Sequence, residues 1–246
     1  MEIVLVIIVF VVFCLVLLCL FFFTTIYRKD KASSSHEKKN TMNEKGMEKT
    51  FVTVYENKEW GDNAHEGYSG SSGPGSSLQF NRQTYIPFLK DFIVRHNIKS
   101  VVDLGCGDFQ CGEMIYHDLD VTYTGYDVYH KLIENHKKTF CAPKYSFIHL
   151  DFCSQKDHVV NSDLCILKDV LQHWSLDNIN TVLTYFIQHK KFKFILICNC
   201  SAQTTDNVDI RDGGFRPLNS DYLPLKKYKC QKLYTYHGKE VSVIAV

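Results

Sequence analysis

Val101-Val102-Asp103-Leu104-Gly105-Cys106-Gly107-Asp108-Phe109 is an apolar run closed by a glycine-bearing turn. Tyr123-Thr124-Gly125-Tyr126-Asp127-Val128 is a second such run, ending on a carboxylate twenty positions after Gly107. Read together they spell strand, tight turn, helix and second strand. The two glycines let the backbone turn sharply and let a bulky ligand lie against main-chain atoms, because no Cβ intervenes. An acid at the tip of the next parallel strand stands beside the same crevice and can accept both hydroxyl hydrogens of a ribose. Glycine turns are common in loops, and Asp127 alone reads as a helix cap. The joint spacing is what points to a nucleotide-bearing ligand.

Outward from this unit the chain alternates. Strands are expected at Ser100–Leu104, Tyr123–Asp127, Ser146–Asp151, Asp163–Lys168 and Phe192–Cys198, with helices near Phe109–His117, His130–Thr139 and Leu176–Lys190. Before them, Tyr85, Ile86, Phe88, Leu89, Phe92 and Ile93 recur at helical spacing from Gln83 to Asn97, where Asn97 offers a stop. Such alternation predicts an α/β fold with a mostly parallel sheet and helices on both faces. The runs Lys232–His237 and Val241–Val246 are separated only by Gly238-Lys239-Glu240. That gap is too short for a crossover helix, so an antiparallel hairpin is expected to close the sheet.

The N-terminus has a different composition. Ile3–Tyr27 carries no charge and is long enough, at about 1.5 Å per residue, to cross a hydrocarbon layer roughly 30 Å thick. A cleaved signal peptide fits less well, since Met1-Glu2 has no basic region and Phe23-Thr24-Thr25-Ile26 has no small-x-small cleavage site. Arg28, Lys29 and Lys31 follow the run directly and only Glu2 precedes it, which predicts a single-pass anchor with the C-terminal bulk facing the cytosol. The organisation expected is an anchor at 1–27, a disordered tether at 28–52 rich in Lys, Ser, Glu and Asn, and one domain at 53–246. Within that domain Trp60-Gly61 and Tyr68–Ser77 form a Gly/Ser-rich segment that composition alone would read as a second linker.

Cysteine use agrees with a reducing compartment. Of ten cysteines, two lie in the apolar run, and Cys165, Cys198 and Cys200 lie in strand-like runs; no C-x-x-C pair suggests zinc or redox work. The Asn199-Cys200-Ser201 sequon falls in an expected core strand. A net charge of +1 leaves no electrostatic footprint for nucleic acid.

At this point the residues resemble the class I S-adenosylmethionine-dependent methyltransferases, a Rossmann-like fold with seven strands. Asp103-Leu104-Gly105-Cys106-Gly107 matches their first motif, Asp127 their ribose acid, Asp151 in His149-Leu150-Asp151-Phe152 their adenine-flanking acid, and Asp163–His173 their fourth-strand motif. A narrower likeness is to small methyltransferases in which a Trp-Gly…Ser-Gly-Pro-Gly-Ser segment precedes the core, here Trp60-Gly61 and Ser72–Ser76. The same group carries an acid and a histidine after the fourth strand, here Asp169 and His173, and Phe215-Arg216-Pro217-Leu218-Asn219 later.

The resemblance implies S-adenosylmethionine as cofactor, held by Asp103, Gly105, Gly107, Asp127, Asp151 and Lys168. Asp169 and His173 would serve catalysis, Arg216 and Trp60 would meet the acceptor, and the segment 60–77 would act as a lid. Methyl transfer to an oxygen or nitrogen nucleophile of a small molecule or peptide side chain is the activity it implies. Asp169 and His173 lie four apart and would share a face if helical. They are equally readable as a structural pair, and Arg216 as a surface cation. Trp174 reads as core or pocket wall.

Two departures matter. A third glycine is missing after Gly107-Asp108-Phe109, which questions close helix approach there and also fails the dinucleotide fingerprint of a dehydrogenase. No Asn/Asp-Pro-Pro-aromatic motif follows the fourth strand, which disfavours amino-group chemistry on nucleobases. A membrane-tethered module that binds without catalysis is the competing expectation, and the anchor also raises lipid methylation.

Overall fold

A computed structural model describes residues 46–64 and 66–246. The expected span Ile3–Tyr27 lies outside the described residues, as does the expected tether up to residue 45. Among the described residues no helix is long and apolar enough to cross a membrane. The last part of the expected tether is ordered, which corrects that boundary: residues 46–56 form helix α1, burying Met47, Val54 and Tyr55. Met47, Phe51, Val54 and Tyr55 recur at helical spacing, and their burial outweighs the polar composition around them.

Next come the short helix α2 (Leu78–Asn81) and α3 (Tyr85–Arg95). The alternating core runs β1 (Ser100–Leu104), α4 (Gly112–Tyr116), β2 (Thr122–Asp127), α5 (His130–Thr139), β3 (Tyr145–His149), β4 (Ser162–Lys168), α6 (Leu176–Gln188) and β5 (Phe192–Cys200). It closes with β6 (Gln231–Tyr236) and β7 (Lys239–Ala245). Seven strands lie in the order β3-β2-β1-β4-β5-β7-β6. β1 through β5 pair parallel, while β7 runs antiparallel to both β5 and β6.

Alternating strand residues feed two cores, one on each face. Val102, Leu104, Cys165, Leu167, Ile195 and Ile197 pack with Ile179, Val182, Leu183 and Phe186 of α6. Val101, Leu164, Ile166, Leu196 and Val241 pack with Ile86, Leu89, Phe92 and Ile93 of α3. The period of two along the strands and of 3.6 along the helices is what buries both sets at once.

α4 is shorter than the expected Phe109–His117. Phe109 takes a left-handed φ of 53° and drives its ring into Tyr123, Phe140, Tyr145 and Phe147, so the helix begins only at Gly112. A Cβ on Gly112 would overlap that ring, so close approach is supplied here rather than at the missing third glycine. Burying Phe109 this way is worth about 3–5 kcal/mol by the cost of truncating such a ring.

The hairpin is also tighter than expected. Tyr236 pairs with Lys239, and His237 and Gly238 alone make the turn with φ of 44° and 75°. Positive φ at both central residues is the type I′ arrangement that matches strand twist. Lys239 and Glu240, expected as loop, are therefore buried strand residues.

Candidate functional site

The order of strands reverses between β1 and β4, and in such sheets the crevice lies beyond the C-terminal ends of the strands at that point. A cavity of about 900 Å³ occurs there. Its lining includes Asp103, Gly105, Gly107, Asp127, Asp151, Lys168, Asp169, His173 and Trp60, so nine of the sequence-derived site residues meet in one place.

The glycine turn is held to β2 by three bonds. Gly105 and Cys106 both donate their N–H to Tyr126 O at 2.9 and 3.0 Å, and Gly107 donates its N–H to Asp127 Oδ2 at 3.0 Å. His136 braces the far side, donating from Nε2 to Gly107 O at 2.7 Å. Gly105 and Gly107 have φ of 79° and 54°, and a Cβ on Gly105 would stand 2.6 Å from Val170 Cγ2. Neither position tolerates a side chain.

Three carboxylates surround the turn. Asp127 accepts from Gly107 on one oxygen and from Tyr129 N–H on the other at 3.1 Å, which leaves each oxygen a further lone pair. Burial raises its pKa, opposed by those N–H groups. Asp103 accepts the Tyr123 hydroxyl at 2.9 Å, and burial pushes its carboxyl up to about 6. Asp151 lies two residues past β3, outside the strand that was expected to contain it. It closes a turn in which Oδ1 accepts from Cys153 N–H at 3.0 Å and Ser154 N–H at 3.3 Å. Asp151 Oδ2 is buried at the cavity with no partner among the described residues. A buried acceptor left unpaired is costly, so this oxygen awaits a donor.

The Gly/Ser segment roofs the cavity. Ser72 and Asp108 bond reciprocally, Ser72 Oγ accepting the Asp108 N–H at 2.8 Å and Asp108 Oδ2 accepting the Ser72 N–H at 3.0 Å. Tyr55 of α1 reaches Ser72 Oγ at 2.9 Å. At the other end Gly75 O accepts from Lys168 Nζ at 3.0 Å. The segment is thus tied to the glycine turn and to the end of β4.

The fourth-strand motif does not run on as an α-helix, so Asp169 and His173 do not share a helical face. Asp169 is left-handed with φ 60° and His173 ends a 3-10 turn over Leu171–His173, so the two side chains do not touch. Gln172 stands between them, its Nε2 3.2 Å from Asp169 Oδ1 and 3.3 Å from His173 Nε2. His173 Nδ1 donates to Gly214 O at 2.8 Å, which places the lone pair on Nε2. Trp60 lies on the imidazole with centroids 4.9 Å apart. Burial lowers the pKa of His173, so the ring is neutral at pH 7. Trp174 is a wall, stacked on Phe152 at 5.4 Å.

Arg216 is the clear correction. It is 3% exposed and does not line the cavity; Nη1 donates to Trp174 O at 2.6 Å, while Nε and Nη2 find no partner among the described residues. It is not a surface cation, and it stands behind Trp174 rather than in the cavity lining. Sequence reasoning missed Gln172, Tyr55 and Lys239. Lys239 Nζ lies 2.5 Å from both Asp169 oxygens across 70 residues of chain, a pairing that only the hairpin register creates.

No protein-family profile and no curated protein matches the chain by sequence. Among solved structures it is similar to an O-methyltransferase family protein from Burkholderia thailandensis (TM-score 0.53, 12% identity, covering 68% of this chain and 57% of that one). It is also similar to the methyltransferase domain of bacterial CtHen1 (TM-score 0.54, 14% identity, 67% and 98%). A third is the S-adenosylmethionine-dependent methyltransferase SibL (TM-score 0.50, 15% identity, 68% and 56%). The chain spans little more than half the length of the first and third. At these identities the likeness is one of fold alone.

Proposed function

We propose that the chain is an S-adenosylmethionine-dependent methyltransferase that acts on an oxygen or nitrogen nucleophile of a small molecule or peptide side chain. One observation carries the reading. Asp127, the side-chain-free turn at Gly105 and Gly107, and the unpartnered Asp151 Oδ2 share one cavity at the reversal of the sheet. That set fits a nucleoside: Asp127 has lone pairs for ribose hydroxyls, and Asp151 Oδ2 suits an exocyclic amino donor. Asp103 supplies negative charge for a cationic ligand.

When bound, the cofactor supplies an electrophilic methyl group on a sulfonium. The chain's own part is to align and enclose. The roof of residues 66–77, held by Ser72 to Asp108 and by Gly75 to Lys168, keeps water from the reacting centre. His173, neutral and oriented by Gly214 O, is the group that takes the proton from the acceptor at Nε2 once the long Gln172 contact is given up. The apolar run Ile3–Tyr27 supports anchoring to a membrane with the domain on the cytosolic side; resistance of the full chain to alkaline extraction from membranes tests that part.

The catalytic-site reading is tested by calorimetric titration of S-adenosylhomocysteine into the full chain beside NAD and ATP. Micromolar binding of the first, absent for the others, is the expected result. Equal binding of all three, or of none by a folded chain, would sink it.

A further inference from the structure

Two lysines converge on one carboxylate at the end of the cavity away from Asp127 and Asp151. Lys168 Nζ is 2.7 Å from Asp169 Oδ2, and Lys239 Nζ is 2.5 Å from both Asp169 oxygens. The three side chains are 13%, 5% and 13% exposed for Lys168, Lys239 and Asp169. Among the described residues neither lysine has another carboxylate within ion-pair distance. Within ion-pair distance the cluster holds two positive charges against one negative charge, Asp103 acting on Lys168 only from farther off, and in a place with little water a further anion beside Lys239 would be favourable.

The surroundings leave room for that anion. Each ammonium has three N–H donors. Lys239 uses two on Asp169, and Lys168 uses one on Asp169 and one on Gly75 O. The faces of Phe80 and Tyr85 lie 5.6 and 5.5 Å from the two ammonium groups, a partial compensation only. Directly above Lys239 the roof carries Gly75, where a Cβ would stand 2.8 Å from Nζ. Gly75 therefore packs closely over the ammonium, and an anion can approach only from the cavity, which Lys239 lines together with Lys168 and Asp169.

We propose that Lys239, with Lys168 beside it, is the docking point for an anionic group on the methyl acceptor, a carboxylate or a phosphate monoester. The acceptor's body would lie against the rings of Trp60, Phe80 and His173, all of which line the same cavity. The assignment rests on the methyltransferase reading, which gives the Asp127 end to the cofactor. It adds what the other end selects: an anion with a flat apolar body, carrying its nucleophile within reach of His173.

The test uses the full chain saturated with S-adenosylhomocysteine, so that the cofactor's own carboxylate is already placed. Benzoate, phenyl phosphate and the neutral isostere benzamide are titrated separately. One or both anions should bind at least about tenfold more tightly than benzamide, and the stronger of the two identifies carboxylate or phosphate as the chemistry. Lys239→Met should abolish the preference while changing affinity for S-adenosylhomocysteine by less than about twofold. That variant leaves Lys168 and Asp169 as a neutral one-to-one pair, so no buried charge is orphaned. Lys239→Arg should keep the preference and controls for folding. Benzamide binding as well as the anions, or a preference that survives Lys239→Met, overturns the proposal. Failure of S-adenosylhomocysteine to bind would instead strike the methyltransferase reading, and the same titrations of the unliganded chain would still judge the lysine site.

Discussion

Asp151→Asn isolates the proposed adenine contact while keeping the turn that Asp151 closes. Asp151 Oδ1 accepts two backbone N–H groups, from Cys153 and Ser154, and the carbonyl oxygen of asparagine keeps both. What changes is the unpartnered Oδ2, which becomes an amide NH₂ and turns from acceptor into donor. A hydrogen bond to a charged acceptor is worth about 1.5–3 kcal/mol. At about 1.4 kcal/mol per tenfold, affinity for S-adenosylhomocysteine should fall by about 10- to 100-fold. Stability should stay within about 1 kcal/mol, because the turn's bonds survive.

A second ligand makes the assay specific. In S-inosylhomocysteine the adenine amino group is replaced by a carbonyl oxygen, which the native carboxylate repels and the amide attracts. Calorimetry on both proteins with both ligands should therefore show the preference for the adenine form shrinking or reversing in the variant. Equal loss of both ligands, or no loss of either, would refute the assignment of Asp151 Oδ2 to adenine.

Burial holds Asp103 at about 6, so the folded chain binds a proton there more readily than the unfolded chain does. This contribution is present below about pH 4 and is lost as pH rises to 6; Asp103→Asn should stabilise the unliganded chain by about 1–3 kcal/mol at pH 7.5 and not at pH 4, read by urea unfolding. The same variant keeps an acceptor for the Tyr123 hydroxyl but should weaken cofactor binding. His173→Ala should lower turnover by about 10²- to 10⁴-fold while sparing cofactor affinity. Because burial depresses its pKa, the native rate should fall on acidification with a midpoint below the ordinary imidazole value; a midpoint at 7 or above would remove His173 as the base. Arg216→Met removes a charge with two unpartnered nitrogens, so stability should change by no more than about 1 kcal/mol, and benzoate affinity should not change. A loss of benzoate binding would restore Arg216 to the site.

The parts of the site that were legible in the sequence are local. Glycine pairs, an acid at the end of the next strand and period-two burial are consequences of spacing within a few dozen residues. Asp103, Gly105, Gly107, Asp127 and Asp151 accordingly meet where expected. What escaped depends on distant pairings. Lys239 reads as a loop residue because Gly238 looks like the start of a longer connection; only the left-handed His237 tightens the turn and puts Lys239 in β7, facing Asp169. Arg216 sits in a motif that suggests a grip, yet its backbone N–H bonds to Gln172 O and its side chain turns under Trp174. Residues 46–52 show the reverse case, since Met47 and Phe51 carried a helical signal that the surrounding Lys and Glu obscured. Asp169 and His173, four apart, would share a face only if that stretch were helical. The positive φ at Asp169 breaks the helix before it starts and inserts Gln172 between them.

The most direct test of the central claim is a crystal structure of the chain grown with S-adenosylhomocysteine. The account predicts ribose hydroxyls on Asp127, the adenine amino group on Asp151 Oδ2, and the thioether sulfur facing the space between His173 and Lys239. A ligand lying elsewhere, or a cavity that stays without it at saturating concentration, would contradict the account.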